Sequence, residues 1–131
     1  YKYVNKIEFI YIFNLISDKF LLIKIKTEIL IISPTRDLAK QTGNVATNLS
    51  NFMGIKVHVS IGGTQAKEDA DILKTNPNVV TGTPGRIWDQ IKRENLNTRF
   101  MKVLIIDEVD EMLSQGFRAQ MYEILSIMND I

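Results

Sequence analysis

The hydrophobic pattern from Thr27 onward alternates between two periodicities, one typical of buried strands and one typical of amphipathic helices. Short runs rich in Val, Ile and Leu predict four β-strands, at residues 28–32, 55–61, 78–81 and 103–106. Apolar residues at helical spacings predict helices near residues 38–52, 64–74, 84–91 and 111–128. The first of these helices would carry Phe52 on its apolar face and end at Gly54, and the last would break at Gly116. Successive strand and helix units predict an α/β fold, a mainly parallel sheet covered by helices.

Residues 1–26 have a different composition from the rest of the chain. They contain no glycine or proline and are rich in Ile, Leu, Phe and Tyr, with lysines scattered among them. Their longest apolar piece, residues 9–16, is shorter than the roughly 20 residues that a membrane-spanning helix requires. We therefore predict an atypical N-terminal segment at 1–26 and an α/β region at 27–131, and we expect no membrane association.

The overall composition is that of an ordinary globular domain. The chain has 131 residues, of which 45% are hydrophobic and 24% are charged, and this length suits a single hydrophobic core. The formal net charge of +1 means that any basic patch must be local. The absence of cysteine excludes disulfides, thiolate zinc sites and thiol catalysis, and it fits an intracellular compartment, nuclear or cytoplasmic. The single histidine, His58, leaves no histidine metal cluster and is interpreted as structural.

Two predicted strand ends carry the same arrangement of a threonine, a proline and an arginine at the start of a helix. They are Pro34-Thr35-Arg36 and Thr83-Pro84-Gly85-Arg86. Backbone N–H groups at a helix start, together with an arginine, suit a phosphate. The alternative is that each threonine only caps its helix and each arginine is a solvated charge. Because parallel strands end at one edge of a sheet, the two helix starts together could follow successive phosphates of one nucleic-acid strand.

A third strand end places acidic residues directly after an apolar run. Val103 to Ile106 is followed by Asp107 and Glu108, with Asp110 two residues further on. A carboxylate in such a position can hold Mg²⁺ through water, and its neighbour can orient a water that attacks a nucleotide phosphate. The alternative is an acidic first turn of the following helix, which the helix dipole favours.

Four motifs together carry a resemblance to a known family. They are Pro34-Thr35-Arg36-Asp37-Leu38-Ala39, Ile61-Gly62-Gly63, Thr83-Pro84-Gly85-Arg86 and Asp107-Glu108-Val109-Asp110. Their order and spacing resemble the first RecA-like domain of the DEAD-box ATP-dependent RNA helicases, from about Thr27 to the end of the chain. Connecting stretches look like those of the translation-initiation helicase and its exon-junction relative.

The resemblance implies a role for each motif residue. Asp107 would hold the Mg²⁺ of bound ATP through water, Glu108 would activate the hydrolytic water, and Asp110 would couple the nucleotide state to the rest of the core. The sugar-phosphate backbone of RNA would be held by Pro34, Thr35, Arg36, Gly62, Gly63, Thr83, Pro84, Gly85 and Arg86. The implied partner is single-stranded RNA without strong sequence preference, because phosphate contacts do not read bases. Ribonucleoprotein or translation-factor proteins are further implied partners.

The chain also departs from the family pattern. No glycine precedes Gly43, so we expect this chain to lack the family's phosphate-cradling loop, which would lie near residues 5–13, and to lack the second RecA-like domain. We therefore expect a partial RecA-like domain, a fragment of a helicase that does not turn over ATP alone. Two alternatives stay open: a non-catalytic remnant that binds RNA or a partner, and a small Mg²⁺-dependent hydrolase using the three acids. Val109 stands where alanine is usual, and Asp37 where glutamate is usual.

Overall fold

The computed structural model describes residues 25–129. It contains four strands and five helices within that range, and each predicted strand is present. The elements in chain order are β1 (Ile29–Ile32), α1 (Arg36–Leu49), β2 (Val57–Ser60), α2 (Ala66–Leu73), β3 (Val79–Gly82), α3 (Pro84–Lys92), β4 (Val103–Ile106), α4 (Val109–Ser114) and α5 (Arg118–Asn129). The N-terminal segment predicted at 1–26 falls almost entirely outside the described residues, so that division of the chain stays a prediction.

The four strands form one parallel sheet in the order β2-β3-β1-β4. This confirms the predicted α/β class, a parallel sheet flanked by helices. The last residues of the strands lie level, because Ile32 pairs with both Gly82 and Ile106, and Gly82 pairs with Ser60. All four strands therefore end at one edge, which we call the carboxyl edge, and the loops that follow them begin side by side.

The core consists of one apolar cluster on each face of the sheet. Leu30 and Ile32 of β1 belong to a cluster that includes residues of α3, α4 and α5, whereas Ile29 and Ile31 belong to a cluster that includes Ala46 of α1. Successive strand residues point to opposite faces, so β1, which lies between β3 and β4, is apolar at every position. The loops at the carboxyl edge therefore begin from a sheet that is packed on both faces.

The prediction for the end of the first helix is wrong. Helix α1 ends at Leu49, and Phe52 is fully exposed in a turn instead of packing on the core. Phe52 and Gly54 both adopt positive φ, 70° and 69°, which no α-helix accommodates. The hydroxyl of Ser50 donates to the carbonyl of Thr47 at 3.1 Å, a local bond that competes with helix continuation. Helical spacing alone therefore extended the predicted helix too far.

The break predicted in the last helix is confirmed. Helix α4 ends at Ser114 and α5 begins at Arg118, with Gly116 between them at φ 82°. Within residues 25–129, no helix combines the length and the apolar character needed to cross a bilayer.

Candidate functional site

Three of the four predicted motifs meet at an open cleft of about 530 Å³ on the carboxyl edge, whereas Asp107, Glu108 and Asp110 do not line it. Of the residues predicted to hold RNA, Gly63 and Pro84 do not line the cleft. The others do: Pro34, Thr35, Arg36, Gly62, Thr83, Gly85 and Arg86. Three further residues that the sequence did not indicate also line it, Asp89 on α3 and Gln115 and Phe117 beside the break at Gly116. The parallel sheet thus brings three loops, separated along the chain, to one surface.

The loop between β1 and α1 presents a cap and an exposed charge. Thr35 is extended, and its Oγ1 accepts a hydrogen bond from the backbone N of Leu38 at 3.2 Å. This is the capping role that the sequence left open for Thr35. Arg36 is exposed, and its guanidinium lies against the loop after β2: a Cβ on Gly62 would be 3.4 Å from its Nη2. The cation predicted to meet phosphate therefore sits between two loops at the cleft.

The loop between β3 and α3 differs from its counterpart. Pro84 is the first residue of α3, as predicted, but the side chain of Thr83 makes no capping hydrogen bond within the described residues. The capping role that the sequence left open as an alternative is therefore not filled by the Thr83 hydroxyl. Thr83 instead lines the cleft half-buried, and a Cβ on Gly85 would meet no described atom within 4 Å. This helix start leaves its hydroxyl and its backbone open to the cleft.

Arg86, which was predicted to hold RNA, is largely buried and forms hydrogen bonds within the protein. Its side chain is only 11% exposed, and its Nη1 donates to Oδ2 of Asp69 at 3.0 Å. It also donates from Nη1 to Oγ1 of Thr64 at 3.2 Å and from Nη2 to the carbonyl of Thr64 at 3.0 Å. Arg36 and Arg86 thus differ: one is exposed, and the other is fixed against the loop that follows Gly63.

Asp69, which the sequence analysis did not single out, is the buried centre of this part of the site. Its Oδ1 lies 2.5 Å from Nε2 of His58, and its Oδ2 accepts from Ser60 at 2.8 Å and from Gln90 at 3.0 Å. The contact explains His58, for which a structural role was predicted. Burial acts to raise the pKa of Asp69, but hydrogen bonds from His58, Ser60 and Arg86, with the charge of His58, outweigh it and lower that pKa.

A signal for Asp69 was present in the helical spacing. Asp69 lies three residues after Ala66 and four before Leu73, on the face predicted to pack against the sheet. A carboxylate on an apolar face needs hydrogen-bond donors around it, because burying an unpaired charge is costly. The donors come from β2 and α3, however, and their approach depends on strand order, which the spacing does not reveal.

The acidic motif lies at the end of β4. Asp107 is half-buried, and its backbone N donates to the carbonyl of Ile32 at 2.9 Å. Glu108 is exposed and left-handed, with φ 48° and ψ 54°, and it directly precedes α4. A hydrogen bond with Glu111, together with slight desolvation and the charge of Glu111, raises the pKa of Glu108. Asp110 is exposed in the first turn of α4, where the helix dipole favours an acid.

The donor set at this edge fits a Mg²⁺ ion held mainly by water and phosphate. Residues 25–129 contain no group of three or more acidic or histidine side chains arranged to hold a metal. Asp107 can offer one carboxylate, and Mg²⁺ commonly keeps several waters when few protein ligands are present. The buried hydroxyl of Ser33, the residue that follows β1, has no hydrogen-bond partner within residues 25–129.

Comparison with known proteins gives the family. The family model described as DEAD/DEAH box helicase matches residues 8–131, a range that includes most of residues 1–26. Eukaryotic initiation factor 4A-1 of Arabidopsis thaliana is 43% identical over 104 residues, covering 79% of this chain and 25% of the relative. ATP-dependent RNA helicase FAL1 of Meyerozyma guilliermondii is 47% identical over 95 residues, covering 72% and 24%. ATP-dependent RNA helicase eIF4A of Aspergillus niger is 48% identical over 99 residues, covering 76% and 25%.

The chain spans about a quarter of the length of the curated relatives it matches. The relatives confirm the predicted family and its translation-initiation subgroup. On the family model and on these identities, the chain belongs to the DEAD/DEAH box helicase family.

Proposed function

We propose that this chain is part of an ATP-dependent RNA helicase and that its cleft binds the sugar-phosphate backbone of single-stranded RNA. The observation that carries the proposal is the convergence of three loops on one open cleft, with the exposed Arg36 lying against Gly62. Two of the relatives are named ATP-dependent RNA helicases, which supports RNA as the ligand.

The cleft combines three features that suit phosphate. The starts of α1 and α3 both face it, and a helix start offers unpaired N–H groups and a partial positive charge. Arg36 adds a full positive charge, and the open backbone at Gly85 lets a strand approach closely. None of these groups reads a base, so the bound RNA would show little sequence preference.

The acidic motif would serve ATP hydrolysis in the complete helicase. A Mg²⁺ ion bound with ATP would neutralise charge on the phosphates. Of this chain's residues, Asp107 would hold that ion through water, Glu108 would accept the proton of the attacking water, and Asp110 would link the motif to the helicase core. The raised pKa of Glu108 suits a general base, because it brings proton affinity closer to neutral pH.

We expect no ATP turnover from the 131-residue chain by itself, since the sequence before Gly43 offers no glycine for a phosphate-cradling loop. Proteins of ribonucleoprotein or translation-factor type stay predicted partners. The function to test in this chain is therefore RNA binding.

The test is the affinity for a fluorescently labelled oligouridine, measured by anisotropy at several salt concentrations. Arg36→Ala should weaken binding roughly tenfold and reduce the salt dependence by about one phosphate contact, because a charge-assisted contact is lost. Lys40→Ala is the matched control, since Lys40 is exposed on the same helix but does not line the cleft. Equal affinities for wild type and Arg36→Ala would show that the cleft is not an RNA site.

A further inference from the structure

We propose that Asp69 is a positioning residue for RNA binding, which sets the orientation of Arg86 and the shape of the loop carrying Gly62 and Gly63. Asp69 does not itself line the cleft, and its side chain is 3% exposed. The proposal rests on the proposed function, because it assigns to Asp69 an effect on that same RNA site.

The carboxylate of Asp69 joins three elements of the fold. Its partners His58 and Ser60 lie on β2, Arg86 and Gln90 lie on α3, and Asp69 itself lies on α2. Both of its oxygens are engaged, Oδ1 by His58 and Oδ2 by the other three side chains. A carboxylate with so many donors has one orientation available, and it fixes the groups that donate to it.

The ion pair with Arg86 is the part of this cluster that reaches the cleft. At 11% and 3% exposure the two side chains are shielded from solvent, so their attraction is screened little by salt. Removing Asp69 would leave the shielded charge of Arg86 without its carboxylate partner, which disfavours any other placement of the two side chains. Arg86 is therefore held in one position before any ligand arrives.

The hydrogen bonds that hold Arg86 leave two of its N–H donors without a partner in residues 25–129. Of five N–H groups, both on Nη1 are taken by Asp69 and Thr64, and one on Nη2 is taken by the carbonyl of Thr64. The second N–H of Nη2 and the N–H of Nε have no partner among the hydrogen bonds of residues 25–129. Because Arg86 also lines the cleft, these two donors are the ones available to a phosphate there.

The same contacts extend to the loop after β2. Thr64 directly follows Gly62 and Gly63, and Arg86 holds it by both its hydroxyl and its carbonyl. Arg36 lies against the same two glycines. Asp69 thus holds Arg86, Arg86 holds the loop, and the loop supports Arg36, so a change at Asp69 would alter the placement of both arginines.

The experiment compares Asp69→Asn with Asp71→Asn in the full chain. Asp71 lies on the same helix, is exposed and makes no contact with the cleft, so it controls for loss of a negative charge. We expect Asp69→Asn to weaken oligouridine binding on the order of tenfold, and Asp71→Asn to leave it unchanged. Circular dichroism and thermal unfolding would establish that both variants are folded.

A double-mutant cycle separates positioning from a purely structural role. If Asp69 acts through Arg86, Asp69→Asn should change RNA affinity by less than about twofold when Arg86 is already alanine. Independent, additive losses would overturn the proposal. Unchanged affinity in folded Asp69→Asn would overturn it as well.

A measurement without RNA covers the case in which Asp69→Asn does not fold. In ¹⁵N-detected NMR of the wild-type chain, the guanidinium of Arg86 should rotate more slowly than that of the exposed Arg36, because Arg86 has three hydrogen bonds that hold it. Free rotation of Arg86 would contradict the fixed position on which the role of Asp69 depends. If the wild type shows a restrained Arg86 but no RNA binding, the proposed function fails, and the role of Asp69 in it fails for that separate reason.

Discussion

The guanidinium of Arg36 occupies the space that a side chain at position 63 would need: a Cβ on Gly63 would lie 2.5 Å from Nη1 of Arg36. Gly63 also has φ +84°, a conformation that side chains disfavour. The start of α1 and the loop after β2 are therefore built around each other, although 26 residues lie between Arg36 and Gly63 in the sequence.

Gly63→Ala should displace Arg36 and strain the loop. We expect the free energy of unfolding to fall by about 1–2 kcal/mol, because an alanine is forced into the left-handed region. Oligouridine affinity should fall with it, since Arg36 loses its support. Urea unfolding and anisotropy measure the two effects.

Gly85→Ala is the matched control for this change. A Cβ at Gly85 meets no described atom within 4 Å, and the residue lies in the first turn of α3. The free energy of unfolding of Gly85→Ala should stay unchanged or rise slightly, because alanine favours the helical conformation more than glycine does. Equal destabilisation by the two substitutions would contradict the backbone strain expected for a side chain at position 63.

The two threonines that precede helices should respond differently to alanine. Thr35 accepts a hydrogen bond from Leu38, so Thr35→Ala should cost about 1 kcal/mol of unfolding free energy. Thr83 makes no such bond within residues 25–129, so Thr83→Ala should change stability by less than about 0.5 kcal/mol. Urea unfolding of both variants gives the comparison. A larger loss of unfolding free energy for Thr83→Ala than for Thr35→Ala would contradict the finding that only the Thr35 side chain caps its helix.

The fold was predictable because its central strand is buried on both faces. Residues 29–32 are all apolar for this reason, and residues 103–106 form a second apolar run, whereas residues 57–60 alternate apolar and polar side chains and are recognised by that period of two. The end of α1 was not predictable in the same way. Phe52 falls at a helical spacing, yet the backbone has already turned at that residue, and spacing carries no information about φ.

The position of the motifs was predictable, but their contacts were not. Parallel strands bring their ends to one edge, so the two helix starts that carry Arg36 and Arg86 were expected to lie together there. The order β2-β3-β1-β4 places β2 beside β3, and only this order brings Asp69 and its partners on β2 to Arg86. Successive strands along the chain need not be neighbours, so the sequence could not show which loops would touch.

Asp69 should make stability depend on pH in the acidic range. Its pKa in the folded chain lies below the ordinary value of 3.8, so the folded state binds its proton less readily than the unfolded chain does. The resulting stabilisation is fully present above pH 3.8 and is lost as the pH falls through the lower, folded pKa. Unfolding free energies of wild type and Asp69→Asn, measured by urea at several pH values, should converge in that range.

Asp71→Asn provides the comparison for this pH dependence. Asp71 is exposed on the same helix. Removing its charge should therefore leave the decrease of the unfolding free energy with falling pH as steep as in the wild type. If the difference between wild type and Asp69→Asn stays constant down to the lowest pH at which the chain folds, the lowered pKa of Asp69 is refuted.

Glu108 should titrate above an ordinary glutamate because its neighbour on α4 favours the protonated form. The hydrogen bond with Glu111 is the largest cause of the raised pKa, and the charge of Glu111 adds to it. Glu111→Ala removes both, so the pKa of Glu108 should fall toward its ordinary value of 4.5. The measurement is a ¹³C NMR titration of the Glu108 side-chain carboxyl in the two proteins.

Glu123→Gln is the control for the Glu108 titration, since Glu123 is exposed on α5 and outside the acidic motif. It should leave the Glu108 titration unchanged. The outcome decides how Glu108 is prepared for its proposed task. If Glu111 sets the pKa of Glu108, a neighbouring side chain on α4 raises the proton affinity of this proposed base. A Glu108 titration that does not respond to Glu111→Ala would mean that any raised proton affinity must come from groups outside α4, such as bound nucleotide.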